Sequence, residues 1–215
     1  MSAPAPDPLP VLTNFEPPTF GGYAGEPGRI RGVGFWPRVG ARVIDLIVQY
    51  LIAVTAGFVF GVLVAVAARM AGQSASILLA KQGHPAFAVF VFALLGSVAY
   101  ETTCEGWHGS TPGKLVLSMV VVQEDGTPCR PGPALVRSLA YFFDSLFFGI
   151  IAYLAMNKTP QEQRHGDVWA HTIVAKRSDA PAPSLRSGGR FASVFLFAAM
   201  ADAALLMIGL LLGLR

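Results

Sequence analysis

Four apolar stretches dominate the pattern of hydrophobic and polar positions. The first runs from about Val39 to Ala68, longer than the roughly 20 residues needed to cross a bilayer. The second runs from Pro85 to about Tyr100. Counted on to Cys104 it reaches spanning length, with Glu101 at headgroup level. The third, Ser138 to Met156, is long enough to span. The fourth, Phe191 to Leu214, is interrupted only by Asp202. Between the second and third lies a valine-rich run, Leu115–Val122, bounded by Thr-Pro-Gly-Lys and Glu-Asp-Gly. It reads as a short strand ending in a turn. Thr172–Ala175 reads as a second short strand. Residues 1–34 are rich in Pro and Gly and carry no hydrophobic period, which predicts a disordered tail with Phe15, Phe20 and Tyr23 as its candidate docking residues. Residues 178–190 read as a linker before a last membrane helix over 191–215. The predicted class is an all-α membrane protein: three to four membrane-embedded helical segments, a small surface strand and turn element, and the tail.

Composition sharpens this reading. Apolar residues make up 53% of the chain and charged residues 13%, about half the charge of a soluble domain. A soluble enzyme is therefore excluded. The net charge of +3 is not gathered into a basic run, so nucleic acid is a poor partner and the lipid bilayer the expected one. Cys104 and Cys129 stand apart and read as free thiols. No early apolar core marks a signal peptide.

Lys and Arg also bear on topology. If all four stretches cross, they divide evenly between the two sides. If the third enters and leaves on one side, only Arg69, Lys81 and Arg215 of the 16 fall outside. The positive-inside rule favours the second arrangement, with a cytoplasmic N-terminus and a re-entrant or interfacial third segment. It also places both short strands on one side, where they can pair.

The most informative pattern occurs twice. Arg38, Ala41 and Asp45 spell R-x-x-A-x-x-x-D, and Arg137, Ala140 and Asp144 spell it again. These offsets set all three residues on one helical face, with the aspartate about 10 Å deeper than the arginine. Repeated halves suggest internal duplication, a plan found in transporters. An aspartate at the centre of a membrane helix costs roughly 2.5–3.5 kcal/mol, so each needs a partner. Arg42 is spaced to pair with Asp45. Asp144 has no cation in its next turn and needs an arginine from another helix, a water-filled cavity or a proton. Either these groups lock helices together, or Asp45 and Asp144 line a cation or proton path, with Arg38 and Arg137 setting their charge state and Asp167 as a gate or surface anchor.

Other signals add less. Thr111-Pro112-Gly113-Lys114 is not a phosphate loop, because His108 and Leu115 stand where glycine and Ser or Thr are required. Lys114 is expected at lipid headgroups or a turn, and Gly113 where only glycine adopts the backbone conformation. His165, Asp167 and His171 are too few to make a metal site. No nucleophile stands beside a base, so neither enzyme chemistry nor a cofactor is expected. Trp36, Trp107 and Trp169 sit at apolar boundaries as interfacial anchors. Gly57 and Gly61 form a G-x-x-x-G, a candidate face for a second copy.

Taken in order, GFWPRVGARVIDLIV, STPGKLVLSMVVVQEDGTP, LVRSLAYFFD and RHGDVWAHTIVAKR resemble the RDD family of small membrane proteins, named for one arginine and two aspartates. The resemblance covers roughly Gly34–Lys176, giving an RDD-like membrane domain over 35–177. Arg38 and Asp45 match the family's arginine and first aspartate. Asp144 or Asp167 answers to the second. The closing Gly-Asp is followed by Thr172, and His171 stands where a glycine is expected. The resemblance implies transport of an unidentified ligand across a bacterial-type plasma membrane. The competing reading is a non-catalytic scaffold that binds another membrane or cytoplasmic protein.

Overall fold

A computed structural model describes residues 30–74 and 86–213. In chain order its elements are α1 (Phe35–Met70), α2 (Ala86–His108), α3 (Pro112–Val116), β1 (Met119–Gln123), α4 (Pro131–Asp144), α5 (Ile150–Met156), α6 (His165–Trp169), β2 (Thr172–Lys176) and α7 (Gly188–Gly213). Helices α1, α2 and α7 are long and apolar enough to cross a membrane. At 36 residues, α1 is about 54 Å long, well beyond a hydrocarbon core of about 30 Å. Much of its apolar surface, including Ile47, Val54 and Phe58, is exposed, as a lipid-facing helix requires.

Helix α2 runs antiparallel to both α1 and α7. The Gln49 amide donates to Ser97 Oγ at 3.1 Å, and Arg42 pairs with Glu101, so α1 rises as α2 descends. Small residues let α2 and α7 approach. Gly96 lies under the buried Asp202, and Gly209 lies against Val89 and Phe92. Gly57 and Gly61 meet nothing within 4 Å.

The third apolar stretch does not form a spanning helix. Its helix breaks after Asp144 into a single 3-10 turn, Leu146–Gly149, with Phe147 and Gly149 left-handed at φ 52° and 83°. Both ends return to one level. Pro131 sits against Gly106 at the end of α2, and Tyr153 meets the Phe35 ring at 5.4 Å at the start of α1. Helix α4 has two faces. Ala134, Arg137, Ala140 and Asp144 are buried, whereas Leu135, Leu139, Phe142 and Phe143 are exposed. A short helix so divided is amphipathic, a pattern that suits a membrane interface.

The two strands pair antiparallel, with Val121 opposite Val174. Both faces of this ribbon are covered, which explains a near-continuous apolar run in place of alternation. Met119, Val121 and Val174 join Val33, Ala41 and Ala134 on one face. Val120, Val122, Ile173 and Ala175 join Ile30 on the other. Residues 30–34 thus belong to the fold, not to the tail that their composition predicted. Gly32 bridges Ala175, and the Val33 N–H donates to the Val174 carbonyl at 2.8 Å. The rest of that tail, with Phe15, Phe20 and Tyr23, lies outside the described residues.

Two further boundaries differ from the sequence reading. The first strand does not begin at Leu115. Pro112 at the first helical position, capped by Thr111, starts α3, and the strand follows only after Ser118 turns left-handed at φ 54°. Residues 178–190 are not a plain linker, because they hold a 3-10 turn at Ala182–Ser184 and the start of α7. Trp36, Trp107 and Trp169 are exposed at or near helix ends. Cys104 and Cys129 are free and buried. Burial pushes the Cys129 thiol up to about 11.

Candidate functional site

The charged side chains converge where the N-terminal end of α1, the C-terminal end of α2, and α3, α4 and α6 meet. Arg137 is fully buried at the centre. Its Nε donates to Glu105 Oε2 at 2.9 Å, and its Nη1 donates to Asp167 Oδ1 at 2.5 Å and to Thr172 Oγ at 2.9 Å. Arg38 pairs with the other oxygen of Asp167 and donates to the backbone carbonyls of Val33 and Glu162, each at 2.8 Å. Arg164 reaches Asp167 Oδ1 at 3.2 Å and Asp144 Oδ2 at 3.8 Å. Lys114 pairs with Glu105, and Arg42 with Glu101. The Arg42 guanidinium also lies 4.4 Å over the Tyr141 ring.

Burial by itself would raise the pKa of Asp167. Arg137, Arg38 and Arg164 more than offset it and hold the carboxyl well below the ordinary range. Burial would likewise lower Arg137, but Asp167 and Glu105 raise it above its ordinary value. Both groups are therefore charged at neutral pH. In this network the cations Arg38, Arg42, Lys114, Arg137 and Arg164 match the carboxylates Asp45, Glu101, Glu105, Asp144 and Asp167 one for one.

The two R-x-x-A-x-x-x-D segments occupy equivalent positions. Asp45 accepts from the Gly113 N–H at 2.8 Å, and Asp144 accepts from the Gly166 N–H at 3.2 Å. Each glycine is the second residue of a five-residue helix, α3 or α6. Each short helix leads through a left-handed residue, Ser118 or His171, into a strand. Val121 and Val174, each eight residues after its glycine, face one another across the ladder. Element for element the two segments correspond, the pattern an internal duplication would leave. Left-handed φ at His171 also explains why a glycine is expected there. The halves differ at the residue after the glycine, Lys114 in one and Asp167 in the other. Asp167 therefore collects both motif arginines, and Lys114 turns to Glu105.

Several partnerships differ from those read in the sequence. Arg42 does not pair with Asp45; α2 brings Glu101 to it, and Asp45 takes the Thr111 hydroxyl at 2.6 Å together with Gly113. Arg38 and Arg137 both bind Asp167 instead of Asp45 and Asp144. Asp167 is not at the surface, being fully buried. Asp144 does draw its arginine from another helix, together with His165 at 3.2 Å. Lys114 reaches a carboxylate, not headgroups. Gly113 has an ordinary helical backbone, and its lack of a Cβ lets α3 lie directly on Ala41 and Asp45. Sequence reasoning missed Glu105. Its signal was the spacing to Glu101, four residues apart on one helical face at the end of an apolar stretch.

Beside the network lies a pocket of about 330 Å³. Helix α1 forms one wall, and α4 and α5 the other. Val39, Val43, Leu46, Ala152 and Met156 supply apolar lining; Arg38, Arg42, Lys114, Arg137 and Arg164 supply charge. Three buried atoms of lining residues have no hydrogen-bond partner, the donors Arg137 Nη2 and Arg42 Nε and the acceptor Glu101 Oε1, which Arg42 meets only as an ion pair. A buried donor left unmade costs about 1–3 kcal/mol, more when charged.

Three apolar helices of spanning length, a short amphipathic helix pair and a buried ionic junction at their ends define a small multi-pass membrane protein. The chain belongs to the RDD family, whose model matches residues 33–171. Helix α7 lies beyond that match. No curated protein and no solved structure matches the chain.

Proposed function

We propose that the chain is a small, non-catalytic transport or permeation module, with the pocket between α1, α4 and α5 as its ligand station. The observation that carries this is the pocket itself: a 330 Å³ space at the ends of the spanning helices, with Arg137, a fully buried residue holding a spare donor, in its wall. The size is within the usual range for small-molecule sites.

The carboxylates are better read as the frame of this station than as cation ligands. Asp45, Asp144 and Asp167 each accept from protein donors already. A bare sodium or potassium ion would have to displace those donors. The concentration of Lys and Arg on the side holding the network supports a cytoplasmic location for that side and for the N-terminus. Gly57 and Gly61, facing outward in the opposite half of α1, offer a face to a second copy.

The test is flux across sealed liposomes holding purified protein, under proton, sodium, potassium and phosphate gradients. Transport of at least one solute above protein-free vesicles is expected. No flux under any gradient, from protein shown to be folded, contradicts this reading and leaves the network as a brace for a scaffold.

A further inference from the structure

We infer that the pocket takes an oxyanion, a phosphate or carboxylate group, borne on an amphiphile whose apolar part leaves between α1 and α5. The inference deepens the transport reading and rests on its choice of the pocket as ligand station.

Charge is the first argument. Five cations contribute to the wall, against three carboxylates, Asp45, Glu101 and Asp144. Glu105 and Asp167, which balance the rest, do not line it. Each lining carboxylate is engaged, Asp45 by Thr111 and Gly113, Glu101 by Arg42, and Asp144 by Gly166, His165 and Arg164. Of the buried polar atoms on lining residues that lack a hydrogen bond, two are donors, Arg137 Nη2 and Arg42 Nε, and the one acceptor, Glu101 Oε1, already meets Arg42 as an ion pair. Guanidinium donors in a partly apolar setting favour phosphate and carboxylate, whose paired oxygens match the planar fork.

Shape is the second argument. A free inorganic anion would satisfy the donors but leave Val39, Ala152 and Met156 against water. The apolar wall continues to Val43 and Leu46, both about half exposed on the lipid-facing side of α1. An anionic head carrying an acyl or other apolar chain satisfies both walls at once. A membrane lipid head and a soluble phosphate share the recognised chemistry, and they are separable by experiment.

The test uses the full chain in detergent micelles. Native mass spectrometry would compare bound phosphatidylglycerol with phosphatidylcholine of the same chains, and a second arm would follow Tm with inorganic phosphate. Leu46→Trp narrows the mouth without removing a charge. Arg42→Lys keeps a cation beside Glu101 and removes the Nε donor. We expect phosphatidylglycerol to bind about tenfold more tightly, a preference lost in Leu46→Trp and reduced in Arg42→Lys. That result assigns the site to a lipid head. If phosphate raises Tm in the wild type but not in Arg42→Lys, without lipid preference, the anion site stands with a soluble source. Equal binding of both lipids with no response to phosphate overturns the inference, as does a preference unchanged in both variants. Flux persisting beside such a null result would leave the transport reading intact. Anion binding without flux would do the reverse.

Discussion

Replacing Arg137 with methionine is expected to destabilise the protein by about 3–5 kcal/mol, read as a large fall in Tm in detergent or as failure to accumulate in the membrane. The size follows from what is left behind. Arg137 is fully buried and holds Glu105 from α2, Asp167 from α6 and Thr172 from β2 at once. Methionine fills much of the volume but takes a cation from two buried carboxylates, leaving Glu105 with Lys114 alone and Asp167 with Arg38 and Arg164. Arg137→Lys should recover only part of the loss, because a single ammonium cannot span three acceptors as a fork does. Both variants also change the acid limb. Asp167 has a lowered pKa when folded, so its stabilisation is full above the ordinary carboxylate value of about 3.9 and is lost as pH falls below it. Without Arg137 the folded value moves back up towards the unfolded one, so the pH-dependent stabilisation shrinks and its loss is complete at a higher pH. A variant within about 1 kcal/mol of wild type would show that the network is weakly coupled to folding.

Gly113→Ala should have the next largest effect, about 3 kcal/mol, the upper end for overpacking a filled site. An added Cβ would overlap the Ala41 carbonyl oxygen and lie 2.9 Å from Asp45 Cγ. Both obstacles belong to the rigid face of α1, so α3 would have to lift away. Lifting also withdraws the Gly113 N–H and the Thr111 hydroxyl from Asp45, leaving a buried carboxylate without its donors. Gly132→Ala is the control, since a Cβ there meets nothing within 4 Å. Thermal unfolding of the two variants side by side checks this. Equal stability would mean that α3 is not fixed on α1.

Much of this molecule is legible in its sequence, because a bilayer forces spans to be long and apolar. The three crossing helices and the duplicated Arg-Ala-Asp motif can be read directly. That the third segment does not span can be inferred from the uneven distribution of Lys and Arg. The partners of the charges cannot, because pairing depends on which helix ends meet. Nothing local in Arg42 says that Glu101 will reach it before Asp45 does. Glu105 reads as the polar end of a span until α2 places it between Lys114 and Arg137. Helix α3 was hidden because five residues with a Thr-Pro start resemble the opening of a strand when valines follow. Ile30 and Val33 were assigned to the tail because two apolar residues among glycines carry no period. Their role appears only when the ribbon offers Val174 and Ala175 as partners.

The claim at the centre of this account is that ligand passes through the pocket while the buried charges frame it. Ala152, buried on α5, lines that pocket without carrying charge. The most direct measurement is solute flux in liposomes for wild type and Ala152→Phe, with matched Tm values to show that both are folded. The account expects the added ring to stop flux and leave the ionic junction in place. Flux at the wild-type level through a folded Ala152→Phe protein would contradict it and put the route elsewhere in the bundle.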